Sequence, residues 1–169
     1  KSDGYFMVVN ASNIQKDFDW LKYNVSENIN LDNLSKDYSL IALQGPQSRD
    51  ILLKCTDINL LKIPFYSCKD GIVCGHSVMV SRTGYTGELG FEIYGDKNSI
   101  ISIWNELVNA GAKPAGLAAR DILRMEMKYC LYGNDIDNTT NPIEAGLSWI
   151  TALSKDEFIG KDAILEVKV

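Results

Sequence analysis

The chain has 169 residues, 46% hydrophobic and 23% charged, which suits one well-cored unit or two small subdomains sharing a core. Its formal net charge is -5 with no Lys/Arg-rich block, so it lacks the basic stripe that a nucleic-acid binder uses against phosphates. The longest apolar runs, such as Phe6 to Val9, are far too short to cross a bilayer, and the KSDGY start has no apolar signal-peptide core; a soluble compartment is expected.

Residues 5–10, YFMVVN, form a β-prone run that ends on asparagine. Ser12 and Gln15 are spaced as a capping box, in which each side chain satisfies the other's orphan N–H. Ile14, Phe18, Leu21 and Val25 follow at helical spacing, predicting an amphipathic helix over 13–27. Residues 38–43 read as a second strand. Gly45-Pro46 then opens a helix over 47–54, packed through Ile51, Leu52 and Leu53.

A β-rich stretch comes next, with strands predicted at 65–68, 72–74 and 78–82 and Lys69-Asp70-Gly71 as a hairpin turn. Residues 90–94 are a further strand. Asp96 caps a helix running to about residue 110, whose Ile100, Ile103, Trp104 and Leu107 share one face. Residues 112–116 are a short strand or connector, and 117–128 a helix rich in Ala, Leu, Met and Arg. The turn-rich segment 132–142, YGNDIDNTTNP, precedes a final strand at 147–152 and a helix over 160–168. Strands grouped in twos and threes, with helices between the groups, predict an α+β fold of mostly antiparallel sheets.

Four cysteines, Cys55, Cys68, Cys74 and Cys130, make no C-x-x-C pair, and His76 is the one histidine. Zinc-ligand spacing is therefore missing, and Ser-His or Cys-His catalysis has little to work with. Cys68 and Cys74 can bond if a hairpin sets them opposite each other, but reduced, buried thiols are the expectation in a chain of this size.

Residues 81–94, SRTGYTGELGFEIY, read as a strand, a glycine-broken turn and a returning strand. Gly84, Gly87 and Gly90 permit positive φ or close backbone approach, placing Tyr85, Glu88 and Glu92 around a concave mouth. An ordinary tight hairpin with a packed Tyr85 fits the same residues. The segment is no phosphate cradle, because it lacks the strand–loop–helix setting and the Lys-Ser/Thr of a P-loop. Glu92 alternates with Phe91 and Ile93, so it faces away from both; if that face is covered, its carboxylate needs a partner or a donor-rich ligand. Arg120 and Arg124 lie one helical turn apart, with Asp121 or the neighbours of Glu126 as ion-pair partners for Arg124. Asp135 and Asp137 in GNDID resemble a calcium loop, but the EF-hand glutamate is missing, and a loop bonding its own backbone fits better.

SRTGYTGELGFEIY, together with GLAARDILRMEMKYCLYGNDID (116–137) and NPIEAGLSWI (141–150), resembles the aminomethyltransferase family, the T-proteins of the glycine cleavage system. MVVNASNIQKDFDWL (7–21), LIALQGPQS (40–48) and FIGKDAIL (158–165) extend the likeness in the same order. The resemblance implies an internal fragment of a folate-binding fold with interleaved subdomains: residues 1–36 in a first, 37–115 in a second and 116–169 returning to the first. A C-terminal β-barrel would lie beyond Val169. It also implies transfer of an aminomethyl carbon from the lipoyl arm of the H-protein to tetrahydrofolate with release of ammonia, and no metal.

By the same resemblance, Glu92 matches the carboxylate that pairs with the pterin's 2-amino group and ring N–H, and Arg120 a second binding position. Asn10 matches an asparagine near the pterin, and Tyr85 a wall of the cavity. Trp149 and Tyr132 are further candidates for its lining. The family's catalytic aspartate would fall upstream of Lys1, with Asp3 too close to VVNASN to take its place, so no catalytic residue is assigned and the chain alone is expected to be inactive. Relatives with other tasks share these blocks: folate-dependent demethylases, the folate domains of sarcosine or dimethylglycine dehydrogenases, and non-enzymatic folate-binding scaffolds. Bacterial cytoplasm and mitochondrial matrix are the natural settings.

Overall fold

Alternation along Ser39–Gln44 puts Ile41 and Leu43 on one side of a strand, and both are buried. This is β1 of the computed structural model, which describes residues 4–166. The remaining strands are β2 (Cys68–Val73), β3 (His76–Ser81) and β4 (Gly90–Gly95), and they form an antiparallel sheet in the order β1-β4-β3-β2. The α+β, antiparallel expectation holds. The helices are α1 (Ile14–Asn24), α2 (Ser48–Leu52), α3 (Lys97–Asn109), α4 (Leu117–Glu126) and α5 (Lys161–Leu165). The chain divides at Leu123/Arg124 into two compact units.

In the first unit, α2 and α3 pack against one face of the sheet. Ile41 stands opposite Ile93, and Leu43 opposite Phe91, with Val80 beyond Ile93. Ile51, Leu52, Ile100, Ile103 and Leu107 close over them. Phe91, Ile93, Val80 and Ile103 are fully buried, and emptying the Phe91 site to alanine costs about 3–5 kcal/mol. Asp96 caps α3 as expected, accepting from Asn98 N at 2.9 Å and Ser99 N at 3.1 Å. Of the predicted α3 face, Trp104 is the exception: it is exposed, and Ser99 is buried instead.

Several expectations fail, each for an identifiable reason. Residues 5–10 form no strand, because a β-prone run needs a ladder partner and finds none among the described residues. The capping box is replaced: Asn10 Oδ1 accepts from Ser12 N at 3.0 Å and from Ser12 Oγ at 2.6 Å, starting a 3-10 turn at Ala11–Asn13. Gln15 turns forward to Asp19. Residues 65–67 do not extend, since Tyr66 sits in the left-handed region at φ 59, and the strand begins only at Cys68.

The hairpin turn is Cys74-Gly75, not 69–71. Both residues have positive φ, 49 and 81, which is the twist that a two-residue hairpin requires. Gly71 lies within β2 opposite Val78, where a Cβ would come 2.4 Å from Ile58 Cδ1; it serves close packing. All four cysteines are free, but none is buried: Cys68 is exposed and the other three half-buried. Cys68 faces Ser81 across the ladder, away from Cys74.

The second unit is held by local polar bonds. Arg124, buried near the end of α4, forms an ion pair with Asp135 and donates to Tyr129 O at 3.0 Å. Leu131 N donates to the same Asp135 oxygen at 2.9 Å. That backbone bond, and then Arg124, hold the Asp135 carboxyl below its usual range. Asp137 accepts from Thr139 and Thr140, so the loop does bond its own backbone. The final strand predicted at 147–152 is instead a 3-10 turn, Ser148–Ile150, whose N–H groups find carbonyls three residues back. Residues 167 and 168 of the last predicted helix lie outside the described residues.

Candidate functional site

The sheet's other face carries the second set of alternating residues. Ala42, Glu92 and Ser81 stand in one cross-strand row, and Leu40, Tyr94 and Met79 in the next. Glu92 is half-buried between the fully buried Phe91 and Ile93, pointing away from both as alternation requires.

The Glu92 carboxylate has two protein donors. Thr83 Oγ1 bonds Oε2 in a very short contact, and Tyr94 OH donates to the same oxygen at 3.0 Å. Thr83 Oγ1 also lies 2.9 Å from Ser81 Oγ. Among the described residues Oε1 takes no hydrogen bond. The site thus presents one open carboxylate oxygen beside one that is anchored twice. Burial, and then the Glu92 charge, push the Tyr94 phenol well above its ordinary range, which keeps it a proton donor at neutral pH.

The glycines of the 81–94 motif have a use that spacing alone does not show. The Gln44 side chain, from the end of β1, runs beneath the turn and donates through Nε2 to Thr83 O at 3.2 Å and Phe91 O at 3.3 Å. Its Oε1 accepts from Thr86 Oγ1 at 3.3 Å. A Cβ on Gly84 would meet Gln44 Oε1 at 1.9 Å, and one on Gly90 at 2.1 Å. Ser48 Oγ and Gly45 N both donate to Leu89 O, tying the turn to the start of α2. Gln44 is therefore the post around which the turn is built, and the turn in turn delivers Thr83 to Glu92.

Arg120 lies on the exposed side of α4, with its guanidinium over the Tyr85 ring, 4.9 Å from the centroid. Such a cation–π contact is worth about 0.5–1 kcal/mol at an exposed position, enough to bias where the guanidinium sits. The structure therefore brings together Tyr85 with Arg120, and Glu92 with Thr83 and Tyr94. The Asn10 side chain bonds Ser12, and its carbonyl accepts from Asn13 N at 2.9 Å. Glu88 is exposed, its N–H on Thr86. Trp149 is 68% exposed and so belongs to no core; Tyr132 is half-buried beside Ile136.

Tyr94 also lines a cavity of about 350 Å³ with Phe6, Tyr38, Met79 and Asp96. Phe6 meets the Tyr38 and Tyr94 rings edge-on, at 5.4 and 6.0 Å. Sequence reasoning missed Thr83, Tyr94 and Gln44. The strand alternation that oriented Glu92 already placed Tyr94 on its side, whereas Gln44 needed the β1–β4 register.

Residues 1–155 match the family model described as the GCVT N-terminal domain. The chain belongs to the GCVT N-terminal domain family. Within it, the chain is 50% identical to an aminomethyltransferase of Halothermothrix orenii, over 98% of this chain and 48% of that protein. It is 51% identical to one of Chloroherpeton thalassium, over 98% of this chain and 47% of that protein. The solved glycine cleavage system aminomethyltransferase T from Bartonella henselae superposes with a TM-score of 0.78 at 33% identity, over 93% of this chain and 43% of that one. The chain spans about half the length of the curated relatives it matches. Among the described residues, no helix is long and apolar enough to cross a membrane.

Proposed function

We propose that this GCVT N-terminal domain chain supplies the pterin-binding face of a glycine cleavage system aminomethyltransferase. The reaction moves the aminomethyl carbon from the dihydrolipoyl arm of the H-protein to tetrahydrofolate and releases ammonia. The observation that carries the reading is the half-buried Glu92 carboxylate, anchored through one oxygen and open at the other.

The residues fit the ligand's donor pattern. A tetrahydropterin offers a 2-amino group and a ring N–H side by side, and one carboxylate accepts both. Glu92 offers Oε1 outright, and Oε2 once the Thr83 or Tyr94 hydroxyl turns aside. Arg120, held over Tyr85, suits the pterin carbonyl edge or the ligand's carboxylates. Asn10 spends its Oδ1 on Ser12 and keeps Nδ2 to offer. These residues bind and orient; none of the described carboxylates is assigned the acid–base step.

Calorimetry with tetrahydrofolate tests the assignment. Glu92→Gln and Arg120→Ala each weaken binding on the order of tenfold, the worth of one charge-assisted bond. Unchanged affinity in both variants would sink it.

A further inference from the structure

The turn that joins β2 to β3 lies against the segment that leaves α2. Thr56 and Val73 form an isolated antiparallel bridge, which sets their outer neighbours, Cys55 and Cys74, directly opposite each other. Cys74 N donates to Cys55 O at 2.6 Å, which holds the two backbones together at this point. Directly opposed residues of an antiparallel pair have Cα atoms about 4.5–5.5 Å apart, inside the range that a disulfide spans. Both cysteines are half-buried and pack against the edge of the core.

A second observation falls on the same residue. Cys74 holds a left-handed backbone, φ 49, at a turn position that ordinarily takes Asn, Asp or Gly. A cysteine has no conformational reason to be there, and this one stands opposite another cysteine.

We propose that Cys55 and Cys74 form a dithiol that closes reversibly to a disulfide by exchange with a small-molecule disulfide such as oxidised glutathione. One thiolate attacks the glutathione disulfide and releases one glutathione. The second thiol, losing its proton, attacks the mixed disulfide and releases the other. The balance is two protein thiols and one glutathione disulfide to one protein disulfide and two glutathiones. Burial first, and the neighbouring Cys55 thiol second, push the Cys74 thiol up to about 12, so its thiolate is scarce at neutral pH. The bond would pin β2 and the turn to the end of α2. It is independent of the pterin reading, because neither cysteine contacts Glu92, Thr83 or Tyr94.

The test equilibrates the protein in glutathione redox buffers and maps peptides by mass under non-reducing conditions. The expected product is a linked Cys55–Cys74 peptide pair, with both thiols lost to alkylation together and recovered by dithiothreitol. The oxidised form should melt about 5–15 °C higher, and a Cys68→Ser/Cys130→Ser double variant, which keeps the pair, should behave in the same way. Stable, separate glutathione adducts on Cys55 and Cys74, links through Cys68 or Cys130, or thiols that persist in oxidising buffer would each overturn the proposal.

Discussion

Tyr94 and Glu92 sit two residues apart on β4, and the phenol of one donates to the carboxylate of the other at 3.0 Å. Period-two alternation places both on the same face of the sheet, so one strand presents the candidate ligand carboxylate together with a donor that orients it. Thr83, arriving from the turn, bonds the same oxygen. The carboxylate is therefore fixed in rotation before any ligand arrives, which lowers the ordering cost of binding.

Removing the phenol tests that relationship. Tyr94→Phe keeps the ring against Phe6 and loses only the hydrogen bond, whose net worth is about 0.5–1.5 kcal/mol. Tetrahydrofolate affinity should fall roughly 2- to 12-fold while the melting temperature barely moves. A large stability loss with unchanged affinity would show the hydroxyl to be structural.

The Gln44 post makes a separate prediction. Gly90→Ala brings a methyl group onto an amide held by Thr83, Phe91 and Thr86, an overpacking cost of about 1–3 kcal/mol. Adding Gln44→Ala removes the clash, so the double variant should lose less than the sum of the two single losses. Chemical denaturation of the four proteins in the cycle reads the coupling; strict additivity would mean that Gln44 moves aside freely.

Tyr85 and Arg120 make a third. Tyr85→Leu removes the ring beneath the guanidinium, so tetrahydrofolate affinity should fall several-fold in the Arg120 protein and much less in an Arg120→Ala background. Equal losses in both backgrounds would mean that Tyr85 acts without Arg120.

Acid sensitivity follows from three lowered carboxyls. Ser99 holds Asp96 down, the Leu131 N–H and Arg124 hold Asp135 down, and Thr139 holds Asp137 down. A folded-state pKa below the unfolded value contributes stability that is fully present above the unfolded value. It is lost as pH falls through the folded one. Melting temperature should therefore be flat above about pH 5 and drop on going below 3.8, the ordinary aspartate value. Asp135→Asn should blunt that drop and lower the melting temperature at pH 7, on the order of 5 °C, since buried Arg124 loses its charged partner.

Period, capping and turn chemistry settled much by sequence alone. Local pattern placed β1 and β4, capped α3 with Asp96, and turned Glu92 away from Phe91 and Ile93, because each depends on residues within one turn or one strand. Ordered blocks with the right residue types pointed to the family before any geometry. The failures lie where a partner from elsewhere in the chain decides. The 5–10 run has strand propensity but no ladder to join. Lys69-Asp70-Gly71 has turn composition, yet Gly71 is required by Ile58, and the turn fell at Cys74-Gly75. Spacing could allow the motif glycines close approach but could not say to what; Gln44, about forty residues earlier, supplies the answer. The Glu92 site divides in the same way: its orientation, and Tyr94 beside it, follow from alternation along one strand, while Thr83 is delivered by a turn built on Gln44, a contact that exists only once β1 and β4 are paired.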